Sequence, residues 1–216
     1  MARIIERLVE PIAGFSPIEC HNLEFVSKKA LCEIEVPKTI IATGKKAGYE
    51  TAFFTRNAQQ LAALAKQRGA AGGPVAAVLF RDTDGTRATE RGLFEDKWRS
   101  IVRGFASAGF ENGVPMVPKP KSEAWLLCAL KSNPYQHCSG LEDSLSGNDN
   151  VPDSAKQQLD RQLGFSGRTV ADLADMIRTG AIAPERIAMP SFDRFRGRLE
   201  EVTRRMLRQP LTTQQN

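Results

Sequence analysis

Two aspartates stand one residue apart at the point where an apolar run ends. The stretch is AAVLFRDTDGTRA, residues 76 to 88, and the pair is Asp82 and Asp84. In an extended chain, residues i and i+2 share one face and lie roughly 7 Å apart, given about 3.3 Å of rise per residue. Two carboxylates that face the same way repel each other unless a cation lies beside them. Oxygen ligands suit Mg²⁺ or Mn²⁺, which complete their shells with water and phosphate oxygens.

A tight turn is the competing interpretation of this pair. Aspartate is favoured at turn positions because its side chain bonds to nearby backbone, and DTDG fits a β-turn with Asp82 in the first position. A motif this short matches many unrelated sequences by chance. The pair alone therefore leaves a metal site and a turn both open.

Glu123 is the third candidate carboxylate. It follows Ser122, which the segment SEAWLLCALK predicts as the N-cap of an apolar helix, so Glu123 should stand in the first helical turn. The positive end of the helix dipole favours a negative charge there. Because the same effect makes glutamate common at this position for stability alone, both roles stay open.

Four lysines could hold phosphate oxygens beside such a metal. Lys119 and Lys121 flank Pro120 just before the predicted helix, and Lys45 and Lys46 stand between glycines in TGKKAG. Ammonium groups near a divalent ion bind phosphate and steer a polyanion toward it. For each lysine singly, a solvated surface position is the competing interpretation.

The elements that position these residues follow from the spacing of apolar residues. An amphipathic helix is expected near the start, ending at Pro11 and Gly14, with one apolar face made of Ile4, Ile5, Leu8 and Val9. One or two strands are expected within residues 18–41, where β-branched residues alternate with polar ones. A helix should follow from the N-cap Asn57 to a stop at Gly69.

The run 75–80 is the predicted central strand. Its six residues are all apolar and are bounded by turn signals, which indicates a strand buried on both faces. A helix that closes at Gly109 should follow it, with a buried face made of Trp98, Ile101, Val102 and Phe105. VPMV, residues 114–117, is a further short strand. The order of elements predicts an α/β fold, a small parallel sheet flanked by helices.

The composition of the chain changes near residue 139, where a stretch rich in Ser, Gly, Asn and Asp begins. We expect an α/β domain over 1–138, a linker or surface loop over 139–153 and a helical C-terminal segment over 154–208, followed by a disordered tail over 209–216. The last predicted helix carries an apolar stripe made of Phe192, Phe195, Leu199, Val202 and Met206. Packing on the chain's own core is the favoured fate of this stripe, and a homodimer or partner interface is the alternative.

Composition excludes several classes of protein. The 216 residues carry a formal net charge of +5, a basic balance that suits a nucleic-acid partner. No apolar run reaches the length of about 18 residues that a spanning helix needs, and the start does not resemble a secretory signal, so we expect a cytoplasmic protein without a membrane partner. Four widely spaced cysteines without a C-x-x-C pair predict reduced thiols rather than disulfides or zinc.

Two families that place D-x-D after a strand fit the rest of the chain poorly. Haloacid dehalogenase phosphatases carry D-x-D-G-T, and DTDGT matches that motif letter for letter. Their fold also needs later strands with a Ser or Thr, a Lys and a second acidic pair, whereas only one short strand is predicted after this motif. Glycosyltransferases with D-x-D need a much larger nucleotide-sugar domain.

The segment VLFRDTDG instead resembles the D-x-D element of the TOPRIM domain, the metal-binding α/β unit of topoisomerases, primases and nucleases of the overcoming-lysogenisation-defect type. PMVPKPKSEAWLLCAL and IIATGKKAG are similar to segments of small uncharacterised bacterial TOPRIM-like proteins. The resemblance spans approximately residues 30 to 131. It implies that Asp82, Asp84 and Glu123 are metal-binding, catalytic carboxylates for Mg²⁺ or Mn²⁺. It also implies a metal-dependent nuclease or phosphodiesterase, with a role in phage defence.

One departure from the family pattern bears on catalysis. The family's first glutamate follows a strand, with a glycine beside it, whereas this chain opens in a predicted helix that offers only Glu6 and Glu10. Either the start is truncated, or a partner supplies the glutamate, or the site is degenerate. The alternative function is therefore a catalytically weak subunit that docks on an ATPase partner.

Overall fold

The described part of the chain folds into helices around two short parallel strands. A computed structural model describes residues 1–36, 51–83, 92–131, 138–164, 167 and 169–208. The elements, in chain order, are α1 (Ala2–Ala13), α2 (Lys28–Cys32), α3 (Thr51–Gly72), β1 (Ala77–Phe80), α4 (Gly92–Ser107), β2 (Gly113–Met116), α5 (Ser122–Leu130), α6 (Leu141–Ser144), α7 (Ala155–Leu163), α8 (Val170–Arg178), a 3₁₀ turn (Pro184–Arg186) and α9 (Pro190–Arg208). Within these ranges, no helix combines the length and apolarity needed to cross a membrane.

The strands β1 and β2 pair in parallel. Ala77 lies opposite Gly113 and Phe80 opposite Met116. Parallel neighbours need a crossover connection, and α4 lies in the chain between the two strands. The mixed α/β class is confirmed, with helices prevailing and a sheet that has two strands in the described residues. Both predicted strands are present, each with bounds shifted by one or two residues.

Side-chain alternation divides the sheet between two apolar clusters. Ala77 and Leu79 point into one cluster with α3 and α4, whereas Val78 and Phe80 pack against the other, which holds α1, α5 and α9. Successive side chains of a strand point to opposite faces, so β1 contributes to both clusters. Helices thus lie against both faces of β1, as the all-apolar run predicts.

On one side of the sheet, α3 and α4 pack unusually close together. A Cβ atom added at Gly104 of α4 would stand 2.3 Å from the carbonyl oxygen of Thr55 and 2.6 Å from the Cβ atom of Ala58, both in α3. Only glycine allows this approach of two helix backbones. Trp98, Ile101 and Phe105 fill the same cluster as predicted, but Val102 is wrongly assigned to the buried face, since it is 44% exposed.

On the other side, aromatic rings join α5 to α9. The Trp125 ring lies 4.9 Å from the Phe192 ring and 5.7 Å from the Phe195 ring, measured between centroids. Both phenylalanines, Leu199 and Val202 are buried. The preference for packing the α9 stripe on the chain's own core is confirmed, and one cluster holds residues from both sides of the 139–153 segment.

Residues 18–36, the described part of the region in which one or two strands are predicted, contain no strand. Residues 17–21 form a turn, and α2 follows, with the Ser27 side chain accepting the Ala30 N–H as its N-cap. Residues 37–41 lie outside the described residues. The helical opening is confirmed, since α1 ends at Gly14 in the left-handed conformation.

The predicted bounds of the third helix are also wrong. Asn57 does not cap it, because α3 already begins at Thr51 and Asn57 is buried within it. The helix also continues past Gly69 to Gly72. Local propensity marks Asn57 as a favourable cap, but a long helix with a packed face overrides such a preference.

The expectation that all thiols are reduced is wrong for two of the four cysteines. Cys128 of α5 and Cys138 form a disulfide with Cα atoms 5.5 Å apart, whereas Cys20 and Cys32 are free and exposed. The spacing of 10 residues carries no motif, so sequence reasoning had no signal for this pair. The disulfide joins α5 to the beginning of the 139–153 segment.

The segment expected to be a linker or surface loop holds a buried carboxylate. Glu142 of α6 accepts the Ser191 N–H at 2.7 Å, and the Ser191 hydroxyl accepts the Trp125 indole N–H at 2.8 Å. Burial raises the pKa of Glu142, against hydrogen bonds from Ser191 and the charge of Lys119, which lower it. This chain of contacts ties α6 to the beginning of α9 and to α5.

Replacing Leu199 by alanine should lower the free energy of unfolding by about 2–5 kcal/mol, because the lost methyl groups leave a cavity in the core. Urea denaturation followed by circular dichroism measures the change. Leu207→Ala is the matched control on the same helix, because Leu207 is 52% exposed. The control should change stability by less than about 0.5 kcal/mol. Equal losses in the two variants would contradict the packing of α9.

The substitution Glu142→Gln tests whether the raised pKa of the buried Glu142 carboxyl makes stability depend on pH. Because the folded pKa is raised, the contribution of Glu142 to stability is full below the unfolded pKa of about 4.3 and is lost as pH rises through the folded pKa. Glutamine keeps an acceptor for the Ser191 N–H and does not titrate. The free energy of unfolding of the wild type should therefore fall relative to that of the variant as pH rises from about 4 to 8. A difference that is constant with pH would contradict this assignment.

Candidate functional site

The hydrogen-bond ladder between the strands continues beyond their carboxyl ends. The Arg81 N–H donates to the Met116 carbonyl at 3.0 Å, and the Thr83 N–H donates to the Pro118 carbonyl at 3.0 Å. The two segments that leave the sheet therefore run side by side. Ligands bind at this edge in parallel α/β sheets, because several chain segments with free side chains converge there.

Thr83 also joins the two segments through its side chain, and its carbonyl bonds to α4. Its buried hydroxyl donates to the Pro120 carbonyl at 3.0 Å, and its own carbonyl accepts the Lys97 ammonium of α4 at 2.9 Å. Sequence reasoning missed both residues. The sequence signal for Thr83 was its position between two aspartates. The signal for Lys97 was its spacing of four residues from Ile101, which places it on the buried face of α4.

Asp82 caps α5 from the end of β1. Its Oδ1 atom accepts the Ser122 N–H at 2.9 Å. The prediction that Ser122 is the N-cap is wrong, because Lys121 holds that position and has no side-chain capping bond. A helix begins with N–H groups that need acceptors. The carboxylate from the neighbouring strand satisfies one of them.

Glu123 stands in the first turn of α5 as predicted. The Ser122 hydroxyl donates to its Oε2 atom at 3.3 Å. Ser122 therefore contacts two carboxylates, Asp82 through its backbone and Glu123 through its side chain. The third predicted ligand, Asp84, lies outside the described residues.

The lysines beside α5 are paired with acids from the 139–153 segment. The Lys119 ammonium lies 2.8 Å from the Asp143 carboxylate, and the Lys121 ammonium lies 2.8 Å from the Asp149 carboxylate. Both lysines thus stand next to the candidate site, as the sequence suggests, and each is already paired with a carboxylate of the protein. Lys45 and Lys46 lie outside the part of the chain that the structure describes.

Arg81 points to the opposite side of the sheet from Asp82. Its guanidinium lies 5.9 Å from the ring centre of Phe53 in α3, whereas Asp82 contacts α5. Burial lowers the pKa of Arg81. Alternation along the strand end predicts this arrangement, and it keeps the positive charge of Arg81 away from the candidate ligands.

The two described carboxylates form an oxygen-only donor set. Such a set fits Mg²⁺ or Mn²⁺, which bind through one or two carboxylates and take their remaining ligands from water and phosphate. Among residues 1–36, 51–83 and the other described ranges, no three His, Cys, Asp or Glu side chains group closely enough to hold an ion. The candidate site in these ranges is therefore the pair Asp82 and Glu123.

Family models, curated proteins and solved structures give no match to this chain. The geometry of the site and the motifs are therefore the observations that bear on function.

Two substitutions of Asp82 separate its capping role from its charge. Asp82→Ala removes the acceptor for the Ser122 N–H and should lower the free energy of unfolding by about 0.5–2 kcal/mol. Asp82→Asn keeps an acceptor, and asparagine caps about as well as aspartate, so its loss should be clearly smaller. Thermal or urea denaturation compares the two variants. Equal stability of Asp82→Ala and the wild type would contradict the capping contact.

Proposed function

We propose that this chain is a TOPRIM-like, Mg²⁺-dependent phosphodiesterase that acts on nucleic acid. The observation that carries the proposal is the convergence of Asp82 and Glu123 on Ser122, at the carboxyl ends of two parallel strands. This edge also holds Lys119 and Lys121. Carboxylates that can bind a metal and ammonium groups that can bind phosphate are the two components that metal-assisted phosphodiester hydrolysis requires.

Asp82 and Glu123 would hold the metal, and the D-x-D motif adds Asp84 as the third expected ligand. When bound, the metal would activate a water molecule and stabilise the charge that develops on the phosphate. The capping bond is compatible with this role, since carboxylates that bind metals are commonly oriented by a hydrogen bond from a second group. The Ser122 N–H provides that bond to Asp82.

The chain's own groups would orient the substrate backbone. The N-terminus of α5 carries a partial positive charge, which attracts phosphate. Lys119 and Lys121 precede this helix directly. Such contacts are made to the sugar-phosphate backbone and are largely independent of base sequence. We therefore propose a substrate recognised by its phosphates, either DNA or RNA.

The test is cleavage of labelled single- and double-stranded DNA and RNA by the purified chain. We expect cleavage with Mg²⁺ or Mn²⁺, none with EDTA, and a loss on the order of 100-fold or more in Asp82→Asn. Asp175→Asn is the control, because Asp175 pairs with Arg178 on the exposed surface of α8. Calorimetric titration with Mn²⁺ should show binding to the wild type and weakened binding to Asp82→Asn.

Each contrary outcome points to a specific alternative. Full cleavage by Asp82→Asn would overturn the role of Asp82. Manganese binding without cleavage would favour the catalytically weak subunit of an ATPase–nuclease complex. Hydrolysis of a generic aryl phosphate would favour a haloacid dehalogenase-like phosphatase, although the described elements beyond Met116 are all helical.

A further inference from the structure

One short acidic stretch supplies an ion-pair partner for each of the two lysines at the candidate site. We name residues 142–149, EDSLSGND, the acidic segment. Asp143 pairs with Lys119 and Asp149 pairs with Lys121, each at 2.8 Å. The chain thus places carboxylates on the same two ammonium groups that the proposed function assigns to phosphate.

The acidic segment is anchored independently of these ion pairs. Glu142 accepts the Ser191 N–H from the beginning of α9, and Leu145 is buried in the core. The disulfide of Cys138 with Cys128 fixes the chain just before the segment. Asp143, which lies between these anchors, is therefore held near Lys119 even when its own ion pair is broken.

The two sides of each ion pair differ in exposure. The lysine side chains are 20% exposed for Lys119 and 9% for Lys121, whereas Asp143 is 68% exposed and Asp149 is 50% exposed. The exposed carboxylates can turn into water, and a phosphate that takes their place keeps each largely buried lysine paired, so that no buried charge is left uncompensated. An approaching phosphate could therefore replace each aspartate without any movement of the backbone.

We propose that the acidic segment is an autoinhibitory substitute for the phosphate backbone. In the free protein Asp143 and Asp149 occupy Lys119 and Lys121, and a nucleic acid must displace them to reach the site. This inference rests on the proposed function and adds its regulation. A strand that offers two phosphates at once displaces both aspartates, whereas a monovalent anion competes with only one of them.

The experiment compares two double variants with the same change in net charge. Asp143→Asn with Asp149→Asn removes the substitute, and Asp175→Asn with Asp193→Asn removes two exposed acids paired with Arg178 and Arg196. Binding of a labelled single-stranded oligonucleotide and, separately, of inorganic polyphosphate is measured in EDTA as a function of salt. We expect the first variant to bind both probes about 10-fold more tightly than the control variant. Its salt slope should steepen by about 0.7–0.9 for each lysine engaged.

Adding Lys119→Gln and Lys121→Gln to the first variant should abolish the gain in affinity. Equal affinities of the two double variants, or a gain that survives removal of the lysines, would overturn the autoinhibitory role. Polyphosphate binding can rise as expected while no variant cleaves nucleic acid in the presence of metal. That result would support an acidic segment that blocks an anion-binding site, and it would contradict the proposed nuclease function.

Discussion

The structure depends on the backbone hydrogen bonds between two strands of four residues each. Their ladder continues past the strand ends to Pro118, and the Thr83 hydroxyl extends it to Pro120. Because these bonds fix the two departing segments side by side, the first N–H groups of α5 meet the carboxylate that follows β1. The candidate site is thus a consequence of parallel pairing, with Thr83 and the Lys97 ammonium holding its geometry.

Helices cover both faces of the two strands that the structure describes, and the apolar contacts they make stabilise this pairing. The alternation of β1 sends side chains into two clusters, and α9 completes one of them although it lies at the far end of the described chain. Trp125 connects α5, which carries Glu123, to α9 through ring contacts and through Ser191. The C-terminal helix therefore supports the element that positions the candidate ligand.

The net positive charge of the chain does not form a free basic surface on α9. Several arginines of this helix are paired with acids close by in the sequence, namely Arg196 with Asp193, Arg198 with Glu201 and Arg204 with Glu200. Such i,i+3 and i,i+4 pairs stabilise an exposed helix. The lysines before α5 are paired with acids from a separate segment, as are Arg194 with Glu95 and Arg205 with Glu111, so these pairs depend on tertiary structure.

The sequence by itself determined the α/β class, both strands, most of the helices and the buried face of α9, because these follow from the local periodicity of apolar residues. It also placed Glu123 in a first helical turn and Asp82 at a strand end. Only the tertiary structure decided that Asp82 caps a helix 40 residues away, that Cys128 and Cys138 are joined, and that the lysines are paired with acids. Those contacts unite residues whose individual types are compatible with many partners, so the choice among them depends on the packing of the whole chain.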